Sequence, residues 1–396
     1  MHRLYVLPLH RSLDVVFIIL SVYRAPCAMH HFLITIDVED WFQVENLRPW
    51  NPASTWDGRE LRVEANVHKL LDLFDSFKFP SLPASKLQAK DNPAPCAEHL
   101  EPSLLKNNPG NPVNPVGLPF ASAPCTVHRV PSPELPESSL PQASSLRPQA
   151  VKKVRCTFFT LGWIAERLPN LVREVAARGH EVASHGSSHH ICRPLPDAEL
   201  RDELAGSKRL LEDITGAEVA GFRAPNFSVD DRVLALIREA GYRYDSSYNN
   251  FALHGRYGRI SLNGDRMGIA HRLTDDFFEL PISNLPLSYL SILGTIGNLV
   301  HFRHFPLGGG AYFRLMPLSM FTMGVRSILK KQGAYIFFMH PWEIDPDQPQ
   351  VHSASINCRF RHYTNLKKTY QRLKDLIASF DNCSFVTCHE YLKLVT

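Results

Sequence analysis

Between Cys156 and Ser246, short β-rich runs alternate with helical faces, and this alternation narrows the fold more than any single motif. Residues 156–161 (CTFFTL) read as a buried strand. Ile164, Leu168, Leu171, Val172 and Val175 then fall on one face of a helix that Gly179 stops. Residues 181–185 read as the next strand, with His185 its last residue. Leu200, Leu204, Leu211 and Ile214 mark a helix ended by Gly216. A strand over 218–222, a helix over 231–240 and a strand over 242–246 follow. Elsewhere, 31–37 reads as a strand and 63–74 as a helix, with Val63, Val67, Leu70, Leu71 and Phe74 on one face. Strands are expected at 278–282, 335–339 and 384–387, with a helix over 365–380 and a short C-terminal helix. Residues 284–334 read as less regular. Strands alternating with helices imply a parallel sheet whose strand C-terminal ends carry the site.

Four such ends carry polar chemistry: Asp37 with Glu39 and Asp40, His185 with His189, Arg223, and His340. In the run 179–190 (GHEVASHGSSHH), His185 and His189 stand at i and i+4. On a helix, or on a strand end with a tight loop, that spacing lets two imidazoles face one metal ion. With 19 histidines in the chain, the pair alone carries little weight. Each strand end also has a bland reading, an acidic turn at 37–40 being one. Their convergence on one edge of the sheet does not share a bland reading.

Composition sets the remaining bounds. A chain of 396 residues with 44% hydrophobic content supports a full globular core. A formal charge of +4 with 21% charged residues gives no nucleic-acid footprint. The eight cysteines include no CxxC, so neither a zinc knuckle nor a disulfide framework is expected. Residues 80–150 hold 15 of the 30 prolines and one aromatic, Phe120. That composition offers neither ladder donors nor enough apolar surface to offset ordering entropy, so 80–153 is expected to be an extended or disordered insertion. The apolar run 14–22 is too short to span a bilayer, and no integral membrane span is expected. Residues 1–28 are expected to be a non-core extension, with Met29 beginning the structured protein and a signal or anchor as the alternative.

Six blocks in order resemble the polysaccharide deacetylases of carbohydrate esterase family 4, which share the NodB homology domain. They are ITIDVEDWF (34–42), the run 156–190, GFRAPNFS (221–228), YDSS (244–247), GGGAYFR (308–314) and FFMHPWEIDPDQP (337–349). Within that family the chain looks closest to the exosortase-associated group linked to bacterial exopolysaccharide synthesis. The resemblance covers 29–79 and 154–396 as one domain. It implies an α/β fold, a distorted (β/α) TIM-like barrel of the NodB type, with a metal in its mouth.

Carried over by position, Asp37 matches the catalytic base, Arg223 the arginine that orients it, and His340 the general acid. His185 and His189 match the two histidine metal ligands. Val38 stands where the family has a second aspartate, so the third ligand is Glu39 or Asp40. Asn226 replaces the family's aromatic, and its backbone N–H is left to serve an oxyanion. Phe338 replaces a leucine. The implied cofactor is one divalent ion, zinc first, with cobalt, nickel or manganese as alternatives. The implied reaction removes N-acetyl groups from amino sugars of a polysaccharide or oligosaccharide, in exopolysaccharide biosynthesis and in association with a membrane-bound synthesis complex. A cytoplasmic location is expected, or an exported one if residues 1–28 act as a signal. The alternatives are a C–N hydrolase of a small amide or ureide, and a non-catalytic sugar-binding relative. His180 and His190 are expected to be structural, and Trp41, Trp163 and Trp342 to pack. Glu343 and Asp345 read as turn caps, Glu343 also as a residue that could orient a histidine. The glycines at 308–310 read as a flexible turn or a close approach to substrate.

Overall fold

His31–Val38 is buried along almost its whole length, and the sheet is built outward from it. The computed structural model describes residues 30–80, 151–251, 257–262, 264–286 and 304–396. The expected N-terminal extension 1–28 and residues 81–150 of the Pro-rich insertion lie outside the described residues. The strands of interest are β1 (His31–Val38), β2 (Cys156–Thr160), β3 (Glu181–Ser184), β4 (Gly221–Phe222), β5 (Tyr244–Asp245), β6 (Arg266–Met267), β7 (Ala270–Thr274), β8 (Phe277–Glu279), β9 (Leu285–Pro286), β10 (His304–Phe305), β11 (Ala334–Met339) and β12 (Ser384–Phe385). The helices are α1 (Val63–Asp75), α2 (Gly162–Arg167), α3 (Pro169–Ala177), α4 (Asp197–Thr215), α5 (Asp231–Glu239), α6 (Gly310–Leu315), α7 (Leu318–Gln332), α8 (Ile356–Tyr363), α9 (Leu366–Ala378) and α10 (Cys388–Val395).

One sheet runs β11-β1-β2-β3-β4-β5-β8-β7-β6, with β12 also on β1. From β11 to β8 every pairing is parallel, as the alternation implies. The last two pairings are antiparallel, because β6, β7 and β8 follow one another through short turns. The ladder does not close among the described residues, but its β11 edge approaches the segment after β8. The Ile336 N–H donates to Ser283 Oγ at 2.9 Å, and the Phe338 N–H to Gly308 O at 2.7 Å. Gly309 forms a parallel bridge with Phe338. A Cβ on Gly308 would sit 2.3 Å from Ile282 Cγ2 and 2.8 Å from Ser283 O, so only glycine fits this seam. The glycine run at 308–310 is thus a packing device between β11 and the segment after β8.

The period of two along each strand sorts its side chains between two cores. From β1, Phe32, Ile34, Ile36 and Val38 join the outer core beneath the helices, with Phe158 of β2 and Phe337 of β11. Leu33 joins an inner cluster with Phe159, Ala183, Tyr244, Leu280 and Ile336. The outer core explains the helices. In α1, Val63, Val67, Leu70, Leu71 and Phe74 are all buried, each contributing roughly 1.5–3 kcal/mol.

Two expectations need correction. The single helix read through 164–175 is two helices, because Pro169 starts α3 and Leu168 leaves helical geometry at φ −129° and ψ 55°. The irregular 284–334 segment contains α7, whose Phe321, Val325, Ile328 and Leu329 are buried at i, i+4, i+7 and i+8.

Candidate active site

The same period places the chemistry. Asp37 and Glu39 continue the inner parity of Leu33, His185 that of Ala183, and His340 that of Ile336 and Phe338. Arg223 follows Gly221, where a Cβ would meet the Tyr244 ring, so it too shares the inner face. Asp37, Glu39, His185, His189 and His340 meet at one solvent-open cavity of about 150 Å³, also lined by Asn226 and Trp342, with Arg223 buried behind Asp37.

Ligand atoms of Glu39, His185 and His189 all lie within 4.8 Å of one another, and the three residues are buried. His185 Nδ1 lies 2.8 Å from the Arg223 carbonyl. A carbonyl only accepts, so Nδ1 carries the proton and Nε2 is left as a bare donor for a cation. Burial and the neighbouring His189 push the His185 pKa down to about 3, so its imidazole is neutral, as a metal ligand must be. Glu39 Oε2 lies 2.6 Å from His189 Nε2 without the alignment of a hydrogen bond. Glu39 Oε2 and His189 Nδ1 are both buried without a hydrogen-bond partner. An orphaned buried carboxylate oxygen is costly, and a cation between Glu39 Oε2 and His189 Nε2 satisfies it. The donor set of two imidazoles and one carboxylate therefore fits a divalent metal.

The loop that delivers His189 is held from α4. Glu203 Oε2 accepts the Ser187 and Ser188 N–H groups, each at 3.0 Å. His189 itself sits at φ +56°, a left-handed conformation that a non-glycine residue adopts only where its surroundings impose it.

Asp40 is not brought into the cluster. Its parity turns it away, and its oxygens accept three N–H groups, from Trp41 at 2.8 Å, Arg62 at 2.7 Å and Val63 at 2.9 Å. It caps the N-terminus of α1, where a carboxylate satisfies orphan donors. Asp37 pairs with Arg223 at 2.7 Å, and both are buried. Thr35 Oγ1 and the Ser246 backbone and hydroxyl oxygens occupy the rest of the guanidinium, which lies 4.0 Å over the Phe159 ring. Asn226 sits at φ +54° on the cavity wall.

His340 faces Glu39 through Nε2 at 3.1 Å and Glu343 through Nδ1 at 2.9 Å. Burial opposes its charged form, yet Glu39 and Glu343 raise its pKa to about 9. Glu343 is held down to about 2, because Arg314 and His340 more than offset its burial. Arg314 donates through Nε to Glu343 at 2.7 Å and through its other nitrogens to the carbonyls of Arg361, His362 and Thr364. A Cβ on Gly310 would lie 2.3 Å from the Glu343 carboxylate, so glycine makes room for it. Arg314 has no periodic relation to Glu343 and was missed in the sequence. The only signal was the coexistence of GGGAYFR and HPWE.

His180 is structural, accepting the Cys156 N–H through Nδ1 at 3.1 Å, and His190 lies against Glu203 outside the metal cluster. Trp342 packs between His340 and His362, with ring centroids 5.2 and 4.1 Å away.

Residues 150–244 match the family model described as polysaccharide deacetylase, and residues 246–393 match a domain of unknown function (DUF3473). The chain therefore carries a polysaccharide deacetylase domain. It is 32% identical over 91 residues to a peptidoglycan-N-acetylglucosamine deacetylase of Bacillus cereus, covering 23% of this chain and 42% of that protein. It is 34% identical over 90 residues to a chitooligosaccharide deacetylase of Bradyrhizobium, covering 22% and 41%. The chain spans less than half the length of these curated relatives. A crystal structure from Mycobacterium smegmatis, described as of the polysaccharide deacetylase type, aligns with a TM-score of 0.49 and 14% identity over 94% of this chain and 92% of that one. The two matched regions share one sheet, in which β5 pairs with β8, and β1, which precedes both regions, pairs with β2 of one and β11 of the other. The region of unknown function supplies His340, Glu343 and Arg314 to the same cavity as His185 and His189.

Proposed function

We propose that this chain is a metal-dependent N-deacetylase of an N-acetylated polysaccharide or oligosaccharide. One observation carries the reading: the Glu39–His185–His189 cluster, the Asp37–Arg223 pair and His340 surround a single open cavity. A divalent cation at the cluster, zinc first by its donor set, would polarise the acetyl oxygen and acidify water. Asp37, aimed by Arg223, accepts a proton from the water that attacks the amide carbon. His340 Nε2 gives a proton to the sugar nitrogen as the C–N bond breaks, leaving acetate and a free amine. The Asn226 N–H is the proposed donor to the oxygen that gains charge. The exopolysaccharide setting rests on the resemblance carried by the six blocks at 34–42, 156–190, 221–228, 244–247, 308–314 and 337–349.

The experiment is acetate release from N-acetylglucosamine oligomers by purified protein, with chelator and with zinc, cobalt, nickel or manganese restored. Chelator-sensitive release from the oligomers is expected. Hydrolysis of small amides or ureides alone, by protein shown to be folded, would replace this reading.

A further inference from the structure

In the cavity that holds the metal cluster, two buried asparagines make a wall whose hydrogen bonds are only half used. Asn284 donates both Nδ2 hydrogens, to Asn249 Oδ1 and Asn250 Oδ1, each at 2.8 Å. Asn249 Oδ1 also accepts the Phe251 N–H at 3.2 Å. These bonds fix which end of each amide is which. They leave the Asn249 Nδ2 hydrogens as donors and Asn284 Oδ1 as an acceptor. Both residues line the cavity, and neither atom is among the buried unpartnered ones, so both are solvent-accessible atoms of cavity-lining residues. Phe251 and Tyr312, edge to face with centroids 5.6 Å apart, continue this wall with apolar surface.

We propose that Asn249 and Asn284 form a sugar-recognition subsite that grips neighbouring hydroxyl groups of a pyranose unit. This rests on the deacetylase reading and deepens it to the substrate class. An adjacent donor and acceptor match a vicinal diol, in which one hydroxyl donates and the next accepts. The aromatic wall suits the C–H face of the ring. A site built to hydrogen-bond hydroxyl groups discriminates against ligands that lack them, because its polar groups then lose their partners. The subsite belongs entirely to the region matched as a domain of unknown function, which gives that region the task of choosing the sugar.

Asn249→Asp tests this with little disturbance. It keeps the oxygen that accepts from Asn284 and Phe251 and replaces the donor with an acceptor that also carries charge, which Asn249→Ala, measured beside it, removes. KM for an N-acetylglucosamine oligomer should rise about tenfold or more, with kcat within about twofold, since one hydrogen bond is lost from ground state and transition state alike. The dissociation constant of the fully deacetylated oligomer, read by saturation-transfer NMR, should rise by the same factor. If Asn249→Asp fails to fold, Asn249→Ala takes the same two measurements. Unchanged KM and dissociation constant would overturn the subsite, as would a collapse of kcat at constant KM. If the wild-type chain releases no acetate, the deacetylase reading fails, and the binding measurement alone decides the subsite.

Discussion

The two walls of the cavity are built differently. On the metal-side wall, from residues 30–245, all groups but His189 hang directly from a strand end: Asp37 and Glu39 from β1, His185 from β3, Arg223 from β4, while His189 rides the loop after β3 that Glu203 holds. On the acid-side wall, only His340 comes straight off a strand, and its placement depends on Glu343, which depends on Arg314 of α6. The first wall is made by strand parity, the second by side chains meeting across 29 residues of chain. The first therefore tolerates changes away from its strands except at the Glu203 clamp on the His189 loop, whereas the second is exposed to a change at any link.

The largest effect is expected on the first wall. Asp37→Asn should cut acetate release by about 10²–10⁴-fold, the range for losing a positioned base, while bound metal is retained; a variant that loses metal as well would contradict separate roles for Asp37 and the metal cluster. On the second wall, Arg314→Met should destabilise the fold by about 3–5 kcal/mol, because it leaves the Glu343 carboxylate buried without its cation. Urea denaturation measures this, and Arg314→Met combined with Glu343→Leu should recover much of the loss. A double variant no better than the single one would contradict the pairing.

Smaller effects sharpen the comparison. Glu343→Gln should lower kcat by about 10–100-fold, the cost typical of losing a carboxylate behind a catalytic imidazole. It should also move the alkaline limb of the pH profile. A general acid works only while protonated, so the rate holds below the pKa of His340 and falls above it. That pKa stands at about 9 with Glu39 unopposed, and a cation on Glu39 lowers it. Removing Glu343 takes away a raising charge, so the limb shifts to lower pH; an unmoved limb would dissociate Glu343 from the acid. Glu203→Ala loosens the loop that carries His189 and should weaken metal affinity by about tenfold. Equilibrium dialysis against zinc measures it, and unaltered affinity would mean the loop holds His189 without that clamp.

The same contrast explains what could be read in advance. Asp37, His185, Arg223 and His340 were legible because each ends an apolar run of period two. The choice between Glu39 and Asp40 was latent in that parity, since Glu39 continues 33, 35 and 37 and Asp40 does not. What hid it was the capping of α1, a contact between residues 40 and 62–63 that no local pattern announces. Arg314–Glu343 and Asn249–Asn284 were illegible for the same reason. α7 was within reach: its apolar period is intact, but Thr322 and Gly324 on the buried side and the preceding glycine run made the segment look like loop.

The most direct test of the account is the metal content of the purified chain, wild type beside Glu39→Gln and Asp40→Asn, after dialysis against zinc. One equivalent in the wild type and in Asp40→Asn, and none in Glu39→Gln, is the expected result. Loss in Asp40→Asn with retention in Glu39→Gln, or no metal in the wild type, would contradict it.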